Sequence, residues 1–128
     1  MTSRGRKHRN EGAAAVEFAL VLLPLLAIVA GIIDFGLMLN AQLSLTHAAR
    51  EGVRVLAIGD GDGAAAATTA FQPSPGATGF AATPTGCPNA AGRAVMQTSA
   101  TYEYYFLRVF LPEDGRPLQS RAVMRCNG

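Results

Sequence analysis

Residues 13–33 read AAAVEFALVLLPLLAIVAGII, and this run decides the architecture of the chain. It contains one charged residue, Glu17, and one proline, Pro24. A helix of this length spans about 30 Å, which is the thickness of the hydrocarbon core of a bilayer. We therefore expect a transmembrane helix over about residues 13–34, kinked at Pro24 because proline removes one backbone hydrogen bond.

The charges on the two sides of this run predict its orientation. Four basic residues and one acidic residue give residues 1–11 a net charge of +3, whereas the whole chain carries +2. After the run, the next basic residue is Arg50. Because positive residues remain on the cytoplasmic side of a membrane, residues 1–12 are expected to form a cytoplasmic leader. The C-terminal part would then lie outside the cytoplasm.

A cleaved secretory signal peptide is an alternative explanation of the same pattern. Its apolar region is usually about 7–15 residues long and ends at a small-x-small cleavage site. Here the run is longer, and Ala30 is preceded two positions earlier by Ile28 instead of a small residue. The sequence therefore favours a spanning helix over a conventional signal peptide.

Glu17 is the unusual residue of the run. A carboxylate inside a membrane-spanning helix costs about 2.5–3.5 kcal/mol on insertion scales, so it normally has a partner. It could lie near the cytoplasmic interface or pair with Arg9. If the chain were cut after Gly12, the new α-amino group of Ala13 would lie about one helical turn from Glu17. That amino group could neutralise Glu17 of a neighbouring subunit in a packed bundle.

Residues 12–57 resemble the TadE-like family of the tight-adherence (Flp) pilus system. The start, Gly12 followed by Ala13-Ala14-Ala15-Val16-Glu17-Phe18, is similar to the class III signal of type IV prepilins and pseudopilins. Three later elements contribute to the resemblance: Pro24, Asp34-Phe35-Gly36 and Ala48-Ala49-Arg50-Glu51-Gly52-Val53-Arg54. Their order and spacing make the resemblance specific.

The resemblance implies a function in pilus assembly. A prepilin peptidase would cleave between Gly12 and Ala13, where the glycine supplies the small side chain next to the scissile bond. Glu17 and Phe18 would serve assembly of a minor pilin or pseudopilin. The implied partners are the peptidase, other pilin or pseudopilin subunits, the pilus assembly machinery and membrane lipid. The implied location is the bacterial inner membrane, with possible incorporation into an extracellular pilus.

The helical pattern continues beyond the membrane. Leu45, Ala49 and Val53 recur at four-residue steps and Leu56 follows three residues later, on one helical face. The run Gly-Asp-Gly-Asp-Gly that begins at Gly59 is a strong signal for the end of a helix, so we predict one helix over residues 13–58. Asp34, at the outer end of the apolar run, is expected to be solvated, or alternatively to contact a neighbouring subunit.

The rest of the chain is expected to form a small β region. Residues 59–92 are rich in Gly, Ala, Thr and Pro and are predicted to be a loop, in which Phe71 and Phe80 provide loose anchors. Residues 93–128 are assigned to a β region, with a hairpin of residues 102–111 and 118–126 around a turn at 112–117. The predicted fold class is α+β, a long helix packed against a small antiparallel hairpin or sheet.

Cys87 and Cys126 are the only cysteines, and both fall in the predicted extracytoplasmic part. An oxidising compartment would allow them to pair. The closed loop of about 40 residues would stabilise the fold by roughly 4 kcal/mol in the chain-entropy model. Two free thiols or a redox pair are the alternatives.

The sequence offers no basis for catalysis or cofactor binding. His47 has no evident nucleophile nearby, and His8 lies in the basic tail, apart from both cysteines, so no zinc-ligand set is evident. We expect no enzymatic activity, no cofactor and no metal. Outside the basic arm the net charge is −1, the difference between +2 and +3, which argues against nucleic acid as a partner. The alternative function is a permanently anchored single-pass protein with a partner-binding extracytoplasmic domain.

Overall fold

The computed structural model describes residues 7–87, 91–110 and 115–126, with side chains described from residue 12 onward. The elements in chain order are the helices α1 (Lys7–Ile58) and α2 (Gly63–Ala70) and the strands β1 (Ala77–Thr85), β2 (Arg93–Tyr102) and β3 (Arg116–Arg125). One turn of 3-10 helix, Leu107–Val109, lies between β2 and β3. The fold is a long N-terminal helix packed against a three-stranded antiparallel sheet, which confirms the predicted α+β class.

The helix α1 dominates the molecule. Its 52 residues would extend about 78 Å at the standard helical rise, and they continue through Pro24. The helix ends at the predicted residue, because Gly59 adopts a left-handed conformation with φ 70°. In that conformation the Gly59 N–H donates to the Leu56 carbonyl and the Asp60 N–H to the Val55 carbonyl. These bonds satisfy carbonyl groups that the helix end leaves free.

The sheet is an antiparallel meander in the order β1-β2-β3. In the central strand β2, alternate side chains are buried: Ala94, Met96, Thr98, Ala100 and Tyr102. This face packs against the second half of α1, where the predicted apolar positions Leu45, Ala49 and Val53 are buried. Most of these side chains are small, so the sheet can approach the helix closely. The sheet thus covers one face of α1 beyond residue 33.

The two helices cross with their backbones in contact. A Cβ atom added at Gly52 would lie 2.7 Å from the carbonyl oxygen of Gly63 and 2.9 Å from Cβ of Ala67. Such distances are too short for non-bonded atoms, so glycine is required at the crossing. The crossing places α2 across the outer end of α1.

Residues 59–92 were expected to form a loop, and the structure corrects this. Asp62 begins α2 by accepting a hydrogen bond from the Ala64 N–H at 2.9 Å, and the alanines that follow favour helix. Residues 77–85 then form the edge strand β1, which contains Pro84 and an irregular register between Thr78 and Ala81. Phe71 and Phe80 stack with ring centroids 4.3 Å apart, and both are half-buried against the hydrophobic core.

The predicted strand over residues 102–111 is also wrong. β3 pairs with residues 93–102 instead, from Arg93 opposite Arg125 to Tyr102 opposite Arg116. The chain leaves the sheet after Tyr102: the Glu103 N–H donates to the Gly76 carbonyl, and the backbone N–H groups of residues 105–107 donate to a side chain of α1. The predicted turn at 112–117 lies partly outside the described residues, as do residues 1–6 of the predicted leader.

Candidate membrane and assembly interface

The first half of α1 exposes apolar side chains around its whole circumference. Its eleven exposed large apolar residues are Val16, Phe18, Leu20, Val21, Leu23, Leu25, Leu26, Ile28, Val29, Ile32 and Ile33. The most apolar window of the helix has a mean hydropathy of 2.7, and none of it is buried by the part of the chain that the structure describes. A helix that is apolar on all sides needs an apolar environment, and its length suffices to cross a membrane.

The predicted processing and assembly residues lie together at the start of this surface. Gly12, Ala13, Glu17 and Phe18 are all exposed on α1. Ala13 and Glu17 are four residues apart, so they are neighbours on one helical face. A Cβ at Gly12 would meet no atom within 4 Å. No packing contact among the described residues accounts for a glycine there. The alternative pairing of Glu17 with Arg9 lies outside the described side chains.

Asp34 marks the boundary between the exposed and the covered halves of α1. Its side chain is fully buried, with a relative exposure of 0%. One carboxylate oxygen accepts the N–H groups of Tyr105 at 2.9 Å and Phe106 at 3.1 Å. The other accepts those of Phe106 at 3.0 Å and Leu107 at 2.7 Å. The expectation of a solvated Asp34 is therefore wrong, because its charge is compensated within the chain by three consecutive backbone donors.

A second hydrogen bond joins Asp34 to the sheet, through its backbone carbonyl. The buried Tyr102 hydroxyl donates to the backbone carbonyl of Asp34 at 3.2 Å. Burial raises the pKa of Tyr102, and repulsion from the Asp34 carboxylate raises it further. The phenol is therefore held as a neutral donor. No sequence pattern pointed to this contact, since Asp34 and Tyr102 are 68 residues apart.

The Asp34 bonds hold a loop whose side chains point outward. We call residues 105–110 the aromatic loop. Tyr105 is 61% exposed, Val109 82% and Phe110 68%. Arg108 pairs with Glu103 at 3.2 Å on the surface. The loop is therefore held at its backbone and leaves its apolar side chains uncovered beside the end of the exposed half of α1.

An apolar stripe crosses the same boundary on another face of α1. Five exposed side chains recur at steps of three or four residues: Ile28, Ile32, Phe35, Leu39 and Leu43. The sheet covers a different face, which includes Asp34, Ala41 and Leu45. Leu39 and Leu43 lie beyond the apolar run, at the level of the sheet. The stripe thus extends past the segment that lipid would cover.

Cys87 and Cys126 are joined at disulfide-bond distance, with Cα atoms 5.9 Å apart, which fits the predicted pairing. The bond links the end of the β1 segment to the end of β3.

Within the described ranges, no three His, Cys, Asp or Glu side chains are grouped so that they could hold a metal ion. Along α1, the candidate interface consists of apolar side chains with one exposed carboxylate, Glu17, and one buried carboxylate, Asp34.

Residues 12–54 match the family model for TadE-like protein. The match confirms the resemblance found in the sequence, and it begins at the predicted cleavage residue Gly12. It covers the exposed half of α1 and most of the half that the sheet covers. No curated protein and no solved structure matches the chain. The TadE-like match and the exposed apolar helix together fit a membrane protein associated with the tight-adherence pilus.

Proposed function

We propose that the chain is a minor pilin or pseudopilin, a non-catalytic structural subunit for assembly of a tight-adherence pilus. The observation that carries this proposal is the TadE-like match over residues 12–54, on a helix whose most apolar window is left unburied by the described residues. In the proposed sequence of events, α1 first anchors the precursor in the inner membrane. The basic leader lies in the cytoplasm, and the sheet domain lies outside it.

In the next step a prepilin peptidase cleaves between Gly12 and Ala13. The new α-amino group then lies about 6 Å along the helix axis from Glu17, four residues away. When subunits pack, the amino group of one can neutralise the exposed Glu17 of another. This pairing would offset the cost of a carboxylate among apolar helices.

The apolar stripe supports packing between helices outside the membrane. Leu39 and Leu43 are 46% and 60% exposed on a helix face that the sheet leaves open. Lipid would not cover these positions if residue 34 lies at the membrane boundary. Helices of neighbouring pilin or pseudopilin subunits would cover them in an assembly.

The experiment is N-terminal sequencing and intact mass of the protein from cells with the pilus machinery, without reducing agent. We expect a chain that begins at Ala13 and is lighter by two hydrogens than the fully reduced form. Gly12→Val should block processing, while Gly31→Val is the matched control, since neither site has an atom within 4 Å of an added Cβ. A mature wild-type chain that retains residues 1–12 would contradict the proposal and favour a permanent anchor.

Glu17→Gln tests the assembly step separately. We expect a protein that is processed and anchored but fails to co-purify with other pilus subunits, because the neutral amide cannot pair with an α-amino group. Glu51→Gln is the control, since Glu51 lies on the same helix and its side chain is half exposed. Equal co-purification of the two variants would remove Glu17 from the proposed mechanism.

A further inference from the structure

The aromatic loop is a large apolar surface that the packing of this chain does not explain. Tyr105, Phe106, Val109 and Phe110 are each at least 42% exposed, and they follow one another within six residues. An exposed apolar cluster of this kind normally marks a contact with a partner or a membrane. It lies on the same side of the domain as the apolar helix, where the domain meets the membrane-spanning segment.

The Asp34 carboxylate places the loop at a specific level along α1. Asp34 directly follows the apolar run of residues 13–33. Since that run matches the hydrocarbon thickness of about 30 Å, residue 34 would lie where hydrocarbon gives way to headgroups. The three N–H bonds to Asp34 hold residues 105–107 at that level.

The composition of the loop suits this boundary. Tyrosine rings are enriched at membrane interfaces, where one end is apolar and the other is hydrated. Arg108 lies among them, with its side chain 71% exposed, and a long basic side chain can reach the headgroups. Irregular backbone is costly near hydrocarbon unless its polar groups are bonded. Asp34 bonds three of these N–H groups, and the Phe110 N–H donates to the Leu107 carbonyl at 2.9 Å.

We propose that the aromatic loop is a second membrane contact, which lies in the interfacial layer of the bilayer on the side of the sheet domain. Its rings contact lipid at the level of residue 34 and fix the height and tilt of the domain above the membrane. The proposal rests on the membrane anchoring of α1 in the proposed function. Its partner is the lipid surface, in contrast to the subunits proposed for the apolar stripe.

The test uses single tryptophans, because the chain contains none. Phe110→Trp in the full-length protein reports the depth of the loop in vesicles of phosphatidylcholine and phosphatidylglycerol. Some of the lipids carry bromine either near the headgroup or near the end of the acyl chain. We expect blue-shifted emission that is quenched more strongly by the shallow bromine. Tyr105→Trp is a second reporter, in case Phe110→Trp disturbs the loop.

Two further variants calibrate the measurement. Leu23→Trp lies in the middle of the apolar run and should be quenched mainly by the deep bromine. Val123→Trp lies on β3, seven residues or about 23 Å along the strand from Arg116, which pairs with Tyr102 beside Asp34, and should not be quenched. Both native side chains are exposed, so neither substitution fills the core.

The outcomes separate this proposal from the proposed function. If Leu23→Trp is quenched and both loop reporters behave like Val123→Trp, the membrane contact of the loop is refuted and the anchor is retained. Blue-shifted loop emission without quenching by either lipid also overturns the proposal, because protein would then cover the ring. If Leu23→Trp itself is not quenched, the membrane anchoring fails and the loop proposal fails with it.

Discussion

The two halves of α1 form one continuous helix, but the first half is the more apolar and the two have different surroundings. Among the described residues, none of 12–33 is buried, whereas beyond residue 33 one face lies under the sheet and α2. The change occurs at Asp34, the first buried residue of the described helix side chains. The comparison teaches that one continuous helix can serve two environments when a single buried polar residue fixes where the second begins.

The predictions below perturb the covered half and leave the exposed half unchanged. All three tyrosines, Tyr102, Tyr104 and Tyr105, lie in or beside the covered part. Their near-ultraviolet circular dichroism therefore reports unfolding of the sheet domain by urea. Membrane association of the same samples reports the exposed half.

The largest effect is expected from removing the disulfide by Cys87→Ala with Cys126→Ala. The closed loop has a sequence separation of 39 residues. Its loss should lower the free energy of unfolding of the sheet domain by about 4 kcal/mol, because the unfolded chain gains freedom. Addition of a reductant to the wild type should reproduce the effect and should not affect the double variant. Loss of membrane association as well would show that the two halves are not independent.

Asp34→Ala should have the next largest effect. It leaves three backbone N–H groups without their acceptor, and we expect a loss of about 3 kcal/mol in the free energy of unfolding. Asp34→Asn should lose less, since one oxygen can still accept. Asp60→Ala is the control, because Asp60 is exposed beyond the end of α1. Urea curves of the three variants that coincide would contradict the assignment of Asp34 as the boundary residue.

Gly52→Ala should destabilise the domain by about 1–3 kcal/mol, because the new methyl group overlaps the backbone of α2. Met96 would also be displaced, since its Cε lies 2.8 Å from the added Cβ position. Gly36→Ala is the matched control, as nothing lies within 4 Å of that Cβ. Alanine is favoured over glycine in a helix, so Gly36→Ala should be neutral or slightly stabilising. Equal urea midpoints for the two variants would refute the close crossing of α1 and α2.

The smallest effect concerns the pH dependence of stability. The pKa of Tyr102 is raised in the folded protein above its ordinary 10.0, so the unfolded chain ionises first. Tyr102 therefore stabilises the fold fully below pH 10, and this contribution is lost as the pH rises above it. Urea midpoints measured across this range should fall less steeply for Tyr102→Phe, which cannot ionise. If the urea midpoint falls identically in both proteins, ionisation of the buried Tyr102 does not contribute to the pH dependence of stability.

Much of the helix was predictable from sequence, because its signals are local. The apolar run, the face with Leu45 and Val53 and the stop at Gly59 are each visible within a few turns of the helix. The TadE-like match lies within this same region. The length of the apolar run is by itself enough to compare it with the thickness of a bilayer. The predicted disulfide likewise needed only two cysteines on one side of a membrane.

The alternation of residues 118–126 predicted β3, but the tertiary structure alone decided the positions of β1 and β2 and the role of Asp34. The inward residues of β2 include two alanines and a threonine, so their alternation is weak until the helix covers them. The aromatic residues after Tyr102 favour a strand locally, yet their N–H groups bond to a carboxylate some 70 residues earlier. A buried charge can be stabilised only where several donors converge on it. Such convergence is a property of the folded chain, and no pattern of neighbouring residues contains it.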